Sequence, residues 1–183
     1  MRLDVPTLAD DLIALRPPAE RDVDAITVAC QDADIPRFTR IRHPYTRADA
    51  VEFVKRANHQ WRTGGDAVSF AVTDLATDAL LGAVGLVRLD DKRHVAEIGY
   101  WVAPDARRRG VATRAVVLLS RWAISEAGFE RIELMTRLEN VGSQGVAAAA
   151  GFTREGVLRA YVDLGKGGRD DVVMFSLLRR DLA

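Results

Sequence analysis

The densest run of residue types able to do chemistry is residues 97–115, EIGYWVAPDARRRGVATRA. A strand pattern enters the turn Pro104-Asp105-Ala106, then Arg107-Arg108-Arg109, then Gly110 and the start of an amphipathic helix. A helix start leaves about four backbone N–H groups without partners and adds a partial positive charge. Such a terminus binds anions, and a glycine there lets a phosphate reach the backbone without a Cβ in the way. The arginines raise the local positive potential. The run therefore reads as a polyphosphate cradle at the end of a strand, or as a solvated basic loop closed by a turn glycine. It is not a Walker loop, since no Gly-Lys-Ser/Thr follows spaced glycines, and it lacks the G-x-G-x-x-G of dinucleotide sites.

The elements that must position this run are legible from period and punctuation. Residues 12–16 form a short strand pattern stopped by Pro17-Pro18. Residues 20–31 and 47–62 read as helices; in the second, Ala50, Val54, Ala57 and Trp61 recur at helical spacing. Two prolines argue against regular structure over residues 36–46. Residues 68–72, 80–88 and 94–102 read as three strands with short connections, an antiparallel meander. In the third, Val95, Glu97, Gly99 and Trp101 share one face, and Ala96, Ile98, Tyr100 and Val102 the other. A helix over 110–127 presents Val111, Ala115, Leu118, Leu119, Trp122 and Ala123 as its buried stripe, with Gly128 as a stop. Residues 132–135 then form a strand that a strand–helix–strand crossover places roughly parallel to 94–102. A helix over 141–150 and two strands near 157–162 and 172–178, joined by the turn at 165–168, complete the pattern. The expected fold is α/β, or mixed α+β: a central, mostly antiparallel sheet of about seven strands flanked by about four helices.

With 183 residues, 48% of them hydrophobic and 28% charged, the chain reads as one soluble globular domain over 1–183. Lys plus Arg equals Asp plus Glu at 26 each, so no overall field draws it to nucleic acid or an acidic membrane. Cys30 is the single cysteine; it lies in the apolar run Ala25-Ile26-Thr27-Val28-Ala29 and reads as a packed thiol. No disulfide within the chain and no cysteine-held metal is expected. The N-terminus lacks a basic region followed by an apolar run, and nothing approaches the ~18 apolar residues of a membrane span. The expected location is the cytoplasm.

The run Arg107-Arg108-Arg109-Gly110-Val111-Ala112 resembles motif A of the GNAT superfamily, whose pattern is Arg/Gln-x-x-Gly-x-Gly/Ala. Glu97-Ile98-Gly99-Tyr100-Trp101-Val102 resembles the preceding strand of its ribosomal-protein N-acetyltransferase branch. Asn140-Val141-Gly142-Ser143, with Ala150-Gly151-Phe152 after it, resembles that branch's Asn-x-x-Ser…Gly-Phe helix. Leu15-Arg16-Pro17 and Pro44-Tyr45-Thr46 also fit, so the resemblance covers nearly the whole chain. Two positions depart from the pattern: Arg108 stands where glycine is common, and Gly145 where a larger, often basic, residue is usual.

The resemblance implies an N-acetyltransferase that takes an acetyl group from acetyl-CoA and places it on a primary amine by direct attack on the thioester. The acceptor would be a protein N-terminus or a small molecule, and family likeness is compatible with a homodimer. Backbone N–H groups from Arg107 to Ala112, Val111 included, would bind the CoA pyrophosphate, with Arg108 and Arg109 side chains offering phosphate contacts. The N–H near Val102 would polarise the thioester carbonyl. Glu97 is the candidate general base, because a carboxylate in a buried strand needs a reason; a solvent-facing or arginine-paired Glu97 is the alternative. Ser143 is the candidate donor to the CoA thiolate and Asn140 a cofactor hydrogen-bonder, with helix capping open to both. Tyr45, Trp61 and Tyr161 are candidates for the acceptor side, although aromatics at such spacings are more often core. A non-catalytic acyl-CoA-binding or regulatory domain of the same fold is the competing reading. A phosphate-dependent RNA-binding module fits poorly with zero net charge and 7% aromatic residues.

Overall fold

A computed structural model describes residues 6–63, 65–165 and 168–182, without the side chains at positions 61, 62 and 164. Among these residues, eight strands form one sheet. In chain order they are β1 (Leu8–Ala9), β2 (Ile13–Arg16), β3 (Ala67–Asp74), β4 (Leu80–Asp90), β5 (Val95–Val102), β6 (Arg131–Arg137), β7 (Thr153–Gly165) and β8 (Gly168–Leu178). The helices are α1 (Val23–Ala29), α2 (Asp34–Phe38), α3 (Arg47–Thr63), α4 (Val111–Ser125) and α5 (Val141–Ala149). The strands lie in the order β1-β2-β3-β4-β5-β6-β8-β7. Every neighbouring pair is antiparallel except β5 and β6, which α4 joins as a crossover.

The mixed, mostly antiparallel sheet and the parallel β5–β6 step match the sequence expectation, with one strand and one helix more than the seven and four anticipated. The extra strand, β1, has two residues and pairs only with β2, too short to show a period. The extra helix, α2, contains Pro36 at its third position. A proline in the first turn gives up an N–H that has no helical partner anyway, so Pro36 does not break this helix.

Two apolar clusters hold the layers. The larger lies under α4, where Val111, Ala115, Val116, Leu119, Ala123 and Ile124 pack on Phe70, Leu86, Ala96, Ile98, Ile132 and Leu134 of the sheet. Phe70 is fully buried and meets Trp122 edge to face at 6.1 Å. The smaller cluster joins α1 and α3 through Val23, Ile26, Ala50 and Val54, with Trp101 against it. Cys30 is buried there, and burial pushes its thiol up to about 12, so it is a packing group without nucleophilic character. The end of β2 is tied to α1 by Arg16, whose guanidinium donates twice to buried Asp22 at 2.8 Å each.

Candidate active site

Pairing between β5 and β6 stops early. Val95, Ala96 and Glu97 face Arg131, Ile132 and Glu133, and beyond Glu97 the strands part, while β5 stays paired with β4 as far as Val102. Ala103 donates to Leu81 of β4 at 2.8 Å. Backbone groups of a strand alternate sides; the Ile98 N–H falls to the last rung of the parallel ladder, opposite Glu133, and Tyr100 and Val102 turn their N–H and C=O groups into the split. The Val102 carbonyl accepts from Arg107 Nε at 3.3 Å. The N–H groups of Tyr100 and Val102 thus line the opening, Val102 at its mouth and Tyr100 deeper.

At that mouth α4 begins. Gly110 is its N-cap at φ +76°, and no side chain caps the first turn. Arg114 is the first residue to close a helical bond, onto the Gly110 carbonyl at 3.0 Å. The N–H groups of Val111, Ala112 and Thr113 are left for an outside acceptor. Arg108 also sits at positive φ, +63°. This explains the resemblance's preference for glycine there: the backbone conformation is one that glycine adopts freely and arginine adopts at a cost of roughly 1 kcal/mol or more. The Arg108 side chain is exposed and lines the cleft, so the departure leaves the cradle open.

The arginines of the cradle do three different things. Arg107 is a brace: it reaches Asp32 at 2.6 Å and Asp34 at 3.4 Å, and its charge holds Asp32 below the usual carboxylate range. Arg108 makes no ion pair among the described residues and faces the cleft. Arg109 is exposed and lies outside the cleft wall, within electrostatic reach of Asp74. Of the side-chain phosphate contacts expected, the geometry therefore offers Arg108 and not Arg109.

A cleft of about 1380 Å³ runs from this cradle along the split and across the sheet face to Glu97. It gathers Tyr45, Glu97, Val102, Arg107, Arg108, Gly110, Val111, Ala112, Asn140, Ser143 and Tyr161, residues spread over 116 positions of sequence. The side chain of Trp61 lies outside the described residues. Tyr45 is half-buried against the smaller cluster, and burial pushes its phenol up to about 12. Tyr161 is 43% exposed, at the rim.

Glu97 projects from the cleft face of β5, where its side chain is 15% exposed. Burial raises its pKa above the ordinary glutamate value; Arg88 and Arg40 oppose that rise and neighbouring Glu133 adds to it. Arg88 Nη1 lies 3.0 Å from Glu97 Oε2, yet that buried oxygen receives no hydrogen bond of acceptable geometry. The contact is an ion pair without a hydrogen bond. Of the two sequence readings, arginine pairing and a general base, the site shows the first and leaves room for the second.

Asn140 caps α5, its Oδ1 accepting from the Ser143 N–H at 3.0 Å. Asn140→Ala is expected to cost about 1 kcal/mol of stability, and Asn140→Asp much less, as read by chemical denaturation. Ser143 Oγ accepts a hydrogen bond from Tyr100 OH at 2.9 Å. Tyr100 carries no role in the sequence reading, since only the fold brings α5 against it. Burial raises its phenol pKa. A smaller cavity of about 290 Å³ shares Glu97 and Tyr161 with the cleft, and its arginines 88, 93 and 131 are all ion-paired. No helix among the described residues is long and apolar enough to cross a membrane.

A sheet split after a parallel step, with an uncapped helix start at its mouth, makes a long cleft with an anion-binding end. The family described as acetyltransferase (GNAT) domain matches residues 13–153, and the chain belongs to it. It is an N-acetyltransferase whose co-substrate is acetyl-CoA. An uncharacterized N-acetyltransferase, p20, of Bacillus licheniformis is 29% identical over 177 residues, 97% of this chain and 98% of that protein. The ribosomal-protein-serine acetyltransferase of Escherichia coli K12 is 28% identical over 99 residues, 54% of this chain and 55% of that one. Among solved structures, Mycobacterium smegmatis RimJ in complex with CoA-disulfide superposes with a TM-score of 0.84 at 22% identity, covering 97% of this chain and 88% of that one.

Proposed function

We infer that the protein, acting as one catalytic domain, moves the acetyl group of acetyl-CoA directly onto a primary amine, a protein N-terminal α-amine before a small molecule. The observation that carries this reading is the single cleft that joins an uncapped helix N-terminus to a largely buried carboxylate past the unpaired strand N–H groups of Tyr100 and Val102. The first turn of α4 and Arg108 receive the pyrophosphate. The N–H row of β5 holds the thioester oxygen and stabilises the oxyanion of the tetrahedral intermediate. Glu97 takes the proton of the amine. Because Ser143 accepts from Tyr100, its own proton is free to go to the departing thiolate, and Tyr100 stands behind it as a second donor. The ribosomal-protein-serine acetyltransferase relative supports a protein acceptor. An α-amine, with a pKa near ~8, is partly neutral at physiological pH, whereas a lysine near ~10.4 is not, so the α-amine asks less of Glu97.

Calorimetric titration with acetyl-CoA and CoA, followed by free-thiol release with peptides bearing free N-termini, tests the reading. Saturable micromolar binding and peptide-dependent thiol release are expected. Binding without release by any amine would point to the acyl-CoA-binding domain instead.

A further inference from the structure

The cleft is lined by six arginines: 40, 42, 56, 107, 108 and 137. Three are committed to carboxylates, Arg42 to Asp49, Arg107 to Asp32 and Arg137 to Asp170. Among the described residues, Arg40, Arg56 and Arg108 make no hydrogen bond or ion pair. Arg108 stands at the cradle, where the coenzyme supplies its anion. Arg40 and Arg56 stand at the other end. Arg40 acts on Glu97 through space, and Arg56 lies on α3 one turn before Gln60, against the sheet face that carries Glu97.

Their charge is not needed by the protein. Glu97 already has Arg88 at 3.0 Å, Asp49 has Arg42 and Asp34 has Arg107, which among the described residues leaves Glu52 as the one cleft carboxylate without an ion pair to set against two arginines. The floor between them is built from Ser69, Gly85 and Gly99, which sit side by side across β3, β4 and β5. An acceptor amine arrives largely as an ammonium. Beside Arg40 and Arg88 it is repelled unless the same molecule brings a negative group to meet the unpaired guanidinium.

Resting on the acetyl-transfer reading above, we propose that the acceptor carries a carboxylate close to its amine, and that Arg40 receives it with Arg56 as a second, outer contact. Guanidinium–carboxylate pairing orients the amine toward Glu97, and the surplus positive field favours the neutral, nucleophilic form of the amine. The anion can be the α-carboxylate of a free amino acid or an acidic side chain just after a peptide N-terminus.

The test compares initial rates for acceptors that differ only in charge: the peptide amides Ser-Asp-Asp-Ala and Ser-Asn-Asn-Ala, and serine against serinamide. The wild type should prefer the anionic member of at least one pair by about tenfold in kcat/KM, the size of a charge-assisted hydrogen bond. Which pair shows it identifies the source of the anion. In Arg40→Ala the preference should fall to about twofold, and Arg40→Lys should restore part of it, with acetyl-CoA affinity as the folding control. Equal rates within both pairs, or a preference that survives Arg40→Ala, would overturn the proposal while leaving the transferase standing. Failure of all four acceptors, neutral ones included, would instead bring down the transferase reading and this proposal with it.

Discussion

Gly110→Glu is expected to weaken acetyl-CoA binding by at least about 100-fold in a calorimetric titration. The N-cap glycine sits at φ +76° beside the uncapped N–H groups of Val111, Ala112 and Thr113, and a Cβ added there meets nothing within 4 Å. The side chain of the variant therefore has room, at the cradle proposed to take the pyrophosphate. A unit negative charge about 4 Å from another costs about 1 kcal/mol in water and about 4 kcal/mol at the effective dielectric of a protein surface, and tenfold in affinity is about 1.4 kcal/mol. The glutamate carboxylate also competes for the helix N–H groups themselves. Gly110→Ala separates charge from strain. It keeps the left-handed backbone penalty, roughly 1–2 kcal/mol of stability, but adds no charge, so its affinity should fall less than about tenfold. Equal affinities for wild type and Gly110→Glu would show that the phosphates bind elsewhere.

The strands around the site were legible as short apolar runs bounded by turns, and β5 by its alternation as well. In β5 the period of two puts Val95, Glu97, Gly99 and Trp101 on one face, and Glu97, Gly99 and Trp101 of that face line the cleft. β7 was the hardest to bound. Its pairing with β8 shifts near Arg154, Leu158 and Asp163, and each shift moves side chains off the alternation that marks a strand. Its first residues, Thr153 to Glu155, look like a polar loop in the sequence, yet Glu155 is held by Arg131 and Ser176.

Within the site, what could be read was local: a glycine after arginines, a carboxylate inside a strand. What could not be read was the pairing across long separations. The side chain of Arg107 had no role in the sequence because nothing near it there is its partner; Asp32, which holds it, is 75 positions away. Tyr100 and Ser143 are 43 apart and meet only because α5 packs beside the split. The same limit hid the neighbours of Glu97. A lone carboxylate in an apolar strand gave no sign of Arg88 on β4, of Arg40 in the segment after α2, or of Glu133 beside it on β6.

Those neighbours set what Glu97→Gln should do. Turnover of a peptide acceptor at pH 6–7 should fall about 100-fold, the lower end of the range for losing a general base, since an α-amine with a pKa near ~8 supplies part of its own neutral form. The deficit should shrink as pH rises through that value, because the acceptor then needs no base. The wild-type rate should decline in acid as Glu97 protonates, and burial places that decline above the ordinary glutamate range. Stability should move the other way. A carboxyl whose folded pKa is raised contributes stability below its unfolded pKa and loses that contribution as pH rises through the folded value. At neutral pH the ionised, 15%-exposed side chain of Glu97 is thus a cost that glutamine removes, while Arg88, 48% exposed, stays solvated without it. The variant should melt at or above the wild-type temperature at pH 7 and bind acetyl-CoA as the wild type does. A slower, equally or more stable enzyme with intact coenzyme affinity marks a residue kept for chemistry. Wild-type turnover across the whole pH range would remove Glu97 from the mechanism and leave Arg88 and Glu97 as a structural pair.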